Sequence, residues 1–260
     1  MSLTHKRLLI TRPREQSAEF IAEVERLGGT AVIFPLIAIA GPESWDACDE
    51  TLARIETYDG IVFTSVNGAE KFLDRYVEKA GGPGLLAGRN VYVVGDKTRR
   101  RVEAYGIRVC FTPTDYSADS LRRHFAGSNV RDQRFLVVRG DIGRKDVEQQ
   151  LREGGAYVEV VVVYRTVPAD EHGAIAMGRR LSGGEIDVVT FASPSAVQNF
   201  VKMFPDFSPQ RASGRTIVAV IGPTTGSAAR AVGLPPDIMP GESSVESLVQ
   251  AVDEYYKNNP

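Results

Sequence analysis

A chain of 260 residues, 43% hydrophobic and 25% charged, has room for one or two domains, each with its own core. A net charge of -2 argues against the strongly basic face of a general nucleic-acid binder, so no nucleic acid is expected as a partner. Two cysteines without a CxxC spacing (Cys48, Cys110) and three scattered histidines (His5, His124, His172) argue against a structural zinc site, and no metal is expected.

The opening MSLTHKRLLITRP turns polar too early for a secretory signal. The longest nearly apolar run, Ala31 to Ala40, contains Pro35 and falls short of the roughly 20 residues of a membrane helix. A cytoplasmic protein with no membrane association is expected, and few cysteines fit a reducing compartment.

In chain order, the first predicted strand is LLIT (Leu8 to Thr11), closed by the turn TRP (Thr11 to Pro13). Helical spacing follows at Phe20, Val24 and Leu27. VIFPLIAIAGP (Val32 to Pro42) is long for a strand, which commonly runs about 5–6 residues. GIVFTS and VYVVG are β-branched strands, followed by the turns TSVN (Thr64 to Asn67) and GDKT (Gly95 to Thr98). FLVVRG (Phe135 to Gly140) runs into RGDIGR (Arg139 to Arg144) and a helix marked by Val147 and Leu151. A second long run, VEVVVVYRTVPAD (Val158 to Asp170), precedes VTFASPS and VIGPTT, each again a strand and a turn.

These elements repeat. VVGDKTRRRVEAYG (Val93 to Gly106) matches VIGPTTGSAARAVG (Val220 to Gly233) at an offset of 127 residues. The same offset pairs Arg12 with Arg139, Gly28 with Gly155, Pro113 with Pro240, Ser117 with Ser244 and Leu121 with Leu248. With a shift of one residue, IVFTSVNGAEKF matches VTFASPSAVQNF. The pattern is a duplicated α/β unit. Continuous apolar strands between amphipathic helices predict parallel sheets covered on both faces, in an open doubly wound fold.

Both long runs end in proline, and each is expected to leave one domain and enter the other, the two pairing as a two-stranded connection. That gives a discontinuous domain over 1–36 plus 170–260, a second over 38–167, and linkers near 35–42 and 162–170. Two consecutive domains split near Gly127 are the alternative, and periodicity does not choose between them.

Ligands of open α/β sheets bind beyond the carboxyl ends of the strands. The turn residues Ser65, Asn67, Gly95, Thr98, Gly140, Ser193, Ser195, Gly222, Thr224 and Thr225 fall there. Such residues cap helices, and the exposed amides and helix dipole favour an anion. Arg12 and Arg139, expected directly after strands in equivalent positions, are the leading basic candidates. The chain has no GxGxxG after a strand, no GxxxxGK[ST], no GxSxG and no HExxH, so dinucleotide, nucleotide triphosphate, serine-hydrolase and zincin readings lose support.

The order TRP, FTSxN, VGxxT, RGxxGR, VYRT, FxSP and IGPTT resembles the uroporphyrinogen-III synthases, from Leu8 to about Val252. The resemblance implies two flavodoxin-like α/β domains joined by two strands. It implies a cofactor-free enzyme that closes the linear tetrapyrrole hydroxymethylbilane into a ring, inverts the last pyrrole and releases water. A monomer is expected. The substrate carries eight carboxylates, and two facing sets of helix ends around a cleft are expected to hold them. By the same resemblance Ser65, Thr98, Ser193, Thr224 and Thr225 contact carboxylates, and Tyr164 in VYRT is the acid or orienting donor. Two departures, Gly68 and Glu70 in TSVNGAEKF and the basic TRRRVEAY, are expected on helix surfaces. A two-domain binding protein or sensor for a small anion is the competing reading.

Overall fold

The computed structural model describes residues 2–80, 84–86, 88–113, 118–143, 145–210 and 216–259. Ser117 and Arg144 lie outside the described residues. In chain order the elements are β1 (Arg7–Ile10), α1 (Ala18–Arg26), β2 (Thr30–Ile33), β3 (Ile37–Ala40), α2 (Asp46–Leu52), β4 (Gly60–Phe63), α3 (Val66–Ala80), β5 (Asn90–Val93), α4 (Asp96–Glu103), α5 (Ala118–Ala126) and β6 (Arg134–Gly140). They continue as α6 (Asp146–Glu153), β7 (Tyr157–Pro168), α7 (Ala174–Ser182), β8 (Val188–Phe191), α8 (Pro194–Met203), β9 (Ile217–Val220), α9 (Pro223–Ala231) and α10 (Val245–Asn258).

The chain forms two compact units, Met1–Ala38 with Val167–Pro260, and Ile39–Thr166. The first holds a sheet in the order β2-β1-β8-β9, with every neighbouring pair parallel. The second holds β3-β7-β6-β4-β5, parallel from β7 to β5.

Side-chain alternation along each strand explains why both faces of each sheet are covered. Leu9, Val189, Phe191, Val218 and Val220 point to one face of the first sheet, under Met177, Leu181, Val197 and Phe200 of α7 and α8. Leu8, Ile10, Val188 and Ile217 point to the other, under Phe20 and Val24 of α1 and Leu248, Val249 and Val252 of α10. The second sheet divides in the same way. Ile61, Phe63, Leu136 and Val138 meet α2, α3 and α4, while Val62, Phe135 and Val137 meet α5 and α6. Each large buried apolar side chain contributes about 1.5–3 kcal/mol of transfer free energy.

The repeat seen in the sequence carries through to topology. Under the 127-residue offset β6 corresponds to β1 and β7 to the strand after it, while β4 and β5 correspond to β8 and β9, so the order β7-β6-β4-β5 reproduces β2-β1-β8-β9. An isolated parallel bridge from Tyr92 to Phe111 has its counterpart from Ala219 to Ile238, each partner 127 residues on. Gly28 and Gly155 take φ of 83° and 85°, and Gly106 and Gly233 take 76° and 78°. Each follows a helix in the left-handed region that glycine enters without a steric penalty.

VIFPLIAIAGP is not one long strand. It divides into β2 and β3, and the break spans Pro35, whose nitrogen has no hydrogen to give to a ladder. β2 pairs with β1, and β3 with β7. The unit boundaries fall within β3 and within the 12-residue β7. Among the described residues no helix is long and apolar enough to cross a membrane.

Candidate functional site

In the second unit, β4 ends at Phe63 and the chain turns at Thr64 and Ser65 into α3. Ser65 Oγ accepts the Gly68 amide at 3.0 Å and so caps the helix. Gly68 belongs to this turn rather than to a helix surface. It is buried, and a Cβ there would lie 3.1 Å from Ser65 Oγ and 3.5 Å from the Val138 carbonyl. Glu70 does face outward, paired at 2.8 Å with Arg101 of the basic stretch, so those two departures compensate each other.

Tyr164 reaches the same turn from β7. Between Arg139 and Gly140 the β6–β7 register shifts, so that Gly140 lies opposite Tyr164 and Val163 is passed over. A bulge of this kind re-aims a side chain. The Tyr164 ring lies over Gly140, its carbonyl accepts the Asp141 amide at 3.0 Å, and its phenol oxygen is 3.1 Å from Ser65 Oγ. Thr64, Ser65, Val94, Arg139, Gly140, Ile142, Gly143, Val147 and Tyr164 enclose a cavity of about 200 Å³.

Arg139 is not directly after its strand. The strand continues through Gly140, and the side chain is only 12% exposed. Its Nε lies 2.8 Å from Glu148 Oε1 of α6, at ion-pair distance but without hydrogen-bond alignment, and its Nη1 is buried without a hydrogen-bond partner among the described residues. Glu148 is 3% exposed and escaped notice in the sequence. Its signal is its placement beside Val147 and three residues before Leu151, which puts a carboxylate on the buried face of α6.

The other predicted residues of this unit, Asn67, Gly95 and Thr98, are not among those that line the cavity. Gly95 is the extended N-cap of α4, and a Cβ there would meet nothing beyond its chain neighbours within 4 Å among the described residues. Thr98 is buried in the first turn, and Asn67 is half-buried in the first turn of α3. Hydrogen bonds from Arg99 hold the Asp96 carboxyl of α4 below its ordinary value.

In the first unit, Arg12 lies two residues beyond β1 and Thr11 is fully buried, its hydroxyl donating to the Thr190 carbonyl at 2.6 Å. Burial makes the Arg12 guanidinium less basic, and Glu19 opposes that effect. Ser193 caps α8, accepting the Ala196 amide at 3.2 Å as Ser65 does in α3. Ser195 follows in the same turn, half-buried. Gly222 is the N-cap of α9, where a side chain would clash with Ser243, and its extended backbone suits any residue. Thr224 is exposed and Thr225 buried in the first turn. These residues all lie past the carboxyl ends of β1, β8 and β9, where ligands of open parallel sheets bind.

A profile of the family described as uroporphyrinogen-III synthase HemD matches residues 18–250. The uroporphyrinogen-III synthase of Chlorobaculum parvum is 29% identical over 253 residues, covering 97% of this chain and 100% of that one. The Synechococcus elongatus uroporphyrinogen-III synthase is 28% identical, covering 97% of this chain and 96% of its own. Among solved structures, a mutant uroporphyrinogen III synthase from Thermus thermophilus superposes with a TM-score of 0.66 at 20% identity, over 98% of this chain and 100% of that one, and shares the fold. The chain belongs to the uroporphyrinogen-III synthase family.

Proposed function

We infer that this chain carries out the reaction for which its family is named, the cyclisation of hydroxymethylbilane to uroporphyrinogen III with inversion of the last pyrrole and loss of water. The family match across residues 18–250 carries this conclusion. It makes the chain a cyclising lyase of tetrapyrrole biosynthesis.

The proposed chemistry centres on Tyr164. Loss of the terminal hydroxyl is driven by the pyrrole nitrogen and leaves an azafulvene, which the last ring attacks through a spiro intermediate. A phenol carries one O–H donor and can give its proton to the departing oxygen. Tyr164 lines a cavity of about 200 Å³. Pockets for drug-sized ligands run about 300–1,000 Å³, so this one takes a single ring rather than the whole chain of four. Val94, Ile142 and Val147 supply apolar wall for such a ring. Holding the reacting atoms in place supplies up to roughly 7–11 kcal/mol in well-oriented systems.

The remaining proposed contacts hold carboxylates. The helix starts at Ser65, Gly95, Ser193 and Gly222 present amides to anions, and Arg12 adds a cation. The proposed setting is a cytoplasmic monomer. Its two cysteines are free thiols, Cys48 buried and Cys110 exposed, which fits a reducing compartment. Expression in cells lacking uroporphyrinogen-III synthase should restore growth without added haem. No rescue by a well-expressed, folded chain would reject the proposed activity.

A further inference from the structure

The Ser65 hydroxyl has two possible uses for its proton: it can face a substrate carboxylate or the Tyr164 oxygen 3.1 Å away. The sequence motif points to a carboxylate contact, which requires the proton of Ser65 to face the substrate. A serine hydroxyl has a single proton and two lone pairs. One lone pair is taken by the Gly68 amide at 3.0 Å, and the Tyr164 oxygen lies 3.1 Å from Ser65 Oγ. We infer that Ser65 is a positioning residue for the proton of Tyr164: it donates to the phenol oxygen and leaves the phenol proton directed into the cavity. The assignment rests on the acid role of Tyr164.

The chain of donors runs in one direction, from the Gly68 amide to Ser65, from Ser65 to Tyr164, and from Tyr164 to the substrate. Donation by the amide polarises the Ser65 O–H, which strengthens the next bond. That bond strengthens again once the phenol has lost its proton, because hydrogen bonds to an ionised acceptor are about twice as strong as neutral ones. Ser65 thus favours the state that follows proton transfer. In that step the carbon–oxygen bond of the hydroxymethyl group breaks as the pyrrole nitrogen lends its electron pair. The phenol proton moves to the departing oxygen and completes a water molecule. The phenolate takes back a proton from the ring carbon that forms the final bond, so the enzyme returns to its starting state.

The parts are built to hold this line. A Cβ on Gly68 would crowd Ser65 Oγ at 3.1 Å and the Val138 carbonyl at 3.5 Å, and Gly140 accepts the ring of Tyr164. Tyr164 is 8% exposed, so bulk water competes little for its oxygen.

The test is a double-mutant cycle on freshly made hydroxymethylbilane with Ser65→Gly, Tyr164→Phe and the two together. Glycine is a tolerated N-cap, so α3 is kept while the hydroxyl is lost; circular dichroism melts check this. Ser65→Gly should lower kcat about tenfold with KM within about twofold, and should have no further effect in Tyr164→Phe, since coupled residues are non-additive. Ser65→Thr, which keeps the hydroxyl, should recover most of the rate. A raised KM at unchanged kcat, or losses that multiply in the double variant, would overturn the positioning role and restore Ser65 as a carboxylate contact, leaving the acid role intact. Full turnover by Tyr164→Phe would remove acid and positioning roles together, while the isomer formed by the wild-type protein reports separately on the activity.

Discussion

Tyr164 lies across Gly140. A Cβ added to Gly140 would stand 2.5 Å from Tyr164 Cε2, closer than any real contact, and the register shift between β6 and β7 is what brings the two residues opposite one another. Gly140→Ala therefore moves the phenol away from Ser65. The expected outcome is a loss of at least about tenfold in kcat with a destabilisation of about 1–3 kcal/mol, the usual cost of overpacking. Single-turnover kinetics and urea midpoints measure the two effects, and wild-type kcat in this variant would show that the ring's seat on Gly140 is unimportant.

The Arg139–Glu148 pair predicts an asymmetry. Both side chains are largely buried, at 12% and 5% exposure, so removing Glu148 strands the Arg139 charge, whereas Glu148 also has Arg152 at 3.8 Å. Glu148→Ala should destabilise the fold by about 3 kcal/mol. Replacing both by apolar residues, Arg139→Met with Glu148→Leu, should recover most of that loss. Equal loss in the single and double variants would mean that the pair contributes by packing rather than by charge.

The fold and the candidate site were not equally legible in the sequence. The repeat and the continuous apolar strands between amphipathic helices predicted parallel sheets, and the repeat pair Gly28 and Gly155 proves to sit at equivalent helix ends, where left-handed backbone selects glycine. Strand ends were harder. Arg139 reads as a turn residue beside RGDIGR, yet β6 continues past it, because strand pairing with β7 persists to Gly140. Pro35 divided a run that composition alone presents as continuous. In the site, turn motifs located Ser65 and the family resemblance located Tyr164, but the bulge that aims one at the other has no local signature. Glu148 was hidden by its neighbours, since an apolar helical face draws attention to Val147 and Leu151 rather than to the carboxylate between them.

Gly95 gives a test of anion binding that spares the core. Among the described residues, nothing beyond its chain neighbours lies within 4 Å of a Cβ placed there, and its backbone is extended, so Gly95→Ala should change stability by no more than about 1 kcal/mol. If the amides at the start of α4 hold a substrate carboxylate, the added methyl obstructs the approach and KM should rise about tenfold with kcat little altered. An unchanged KM would remove this helix start from the binding surface.

Stability at low pH should depend on Asp49. Hydrogen bonds from Arg75, then from Lys79, hold its carboxyl down to about 2, against an ordinary value of 3.8. Because the folded value is the lower one, the stabilisation is fully present above about pH 4 and is lost as pH falls toward 2. Denaturation midpoints of the wild type and Asp49→Asn should therefore converge as the pH drops through that window. A constant difference between them would show that Asp49 acts without its charge.

This chain is expected to direct ring closure of hydroxymethylbilane with inversion of the last pyrrole. The most direct measurement is the isomer ratio after incubation with freshly generated hydroxymethylbilane, resolved by chromatography of the oxidised porphyrins. Spontaneous closure yields the type I ring. The type III ring should dominate in the presence of the protein; a product mixture identical to the protein-free control would rule out the proposed activity.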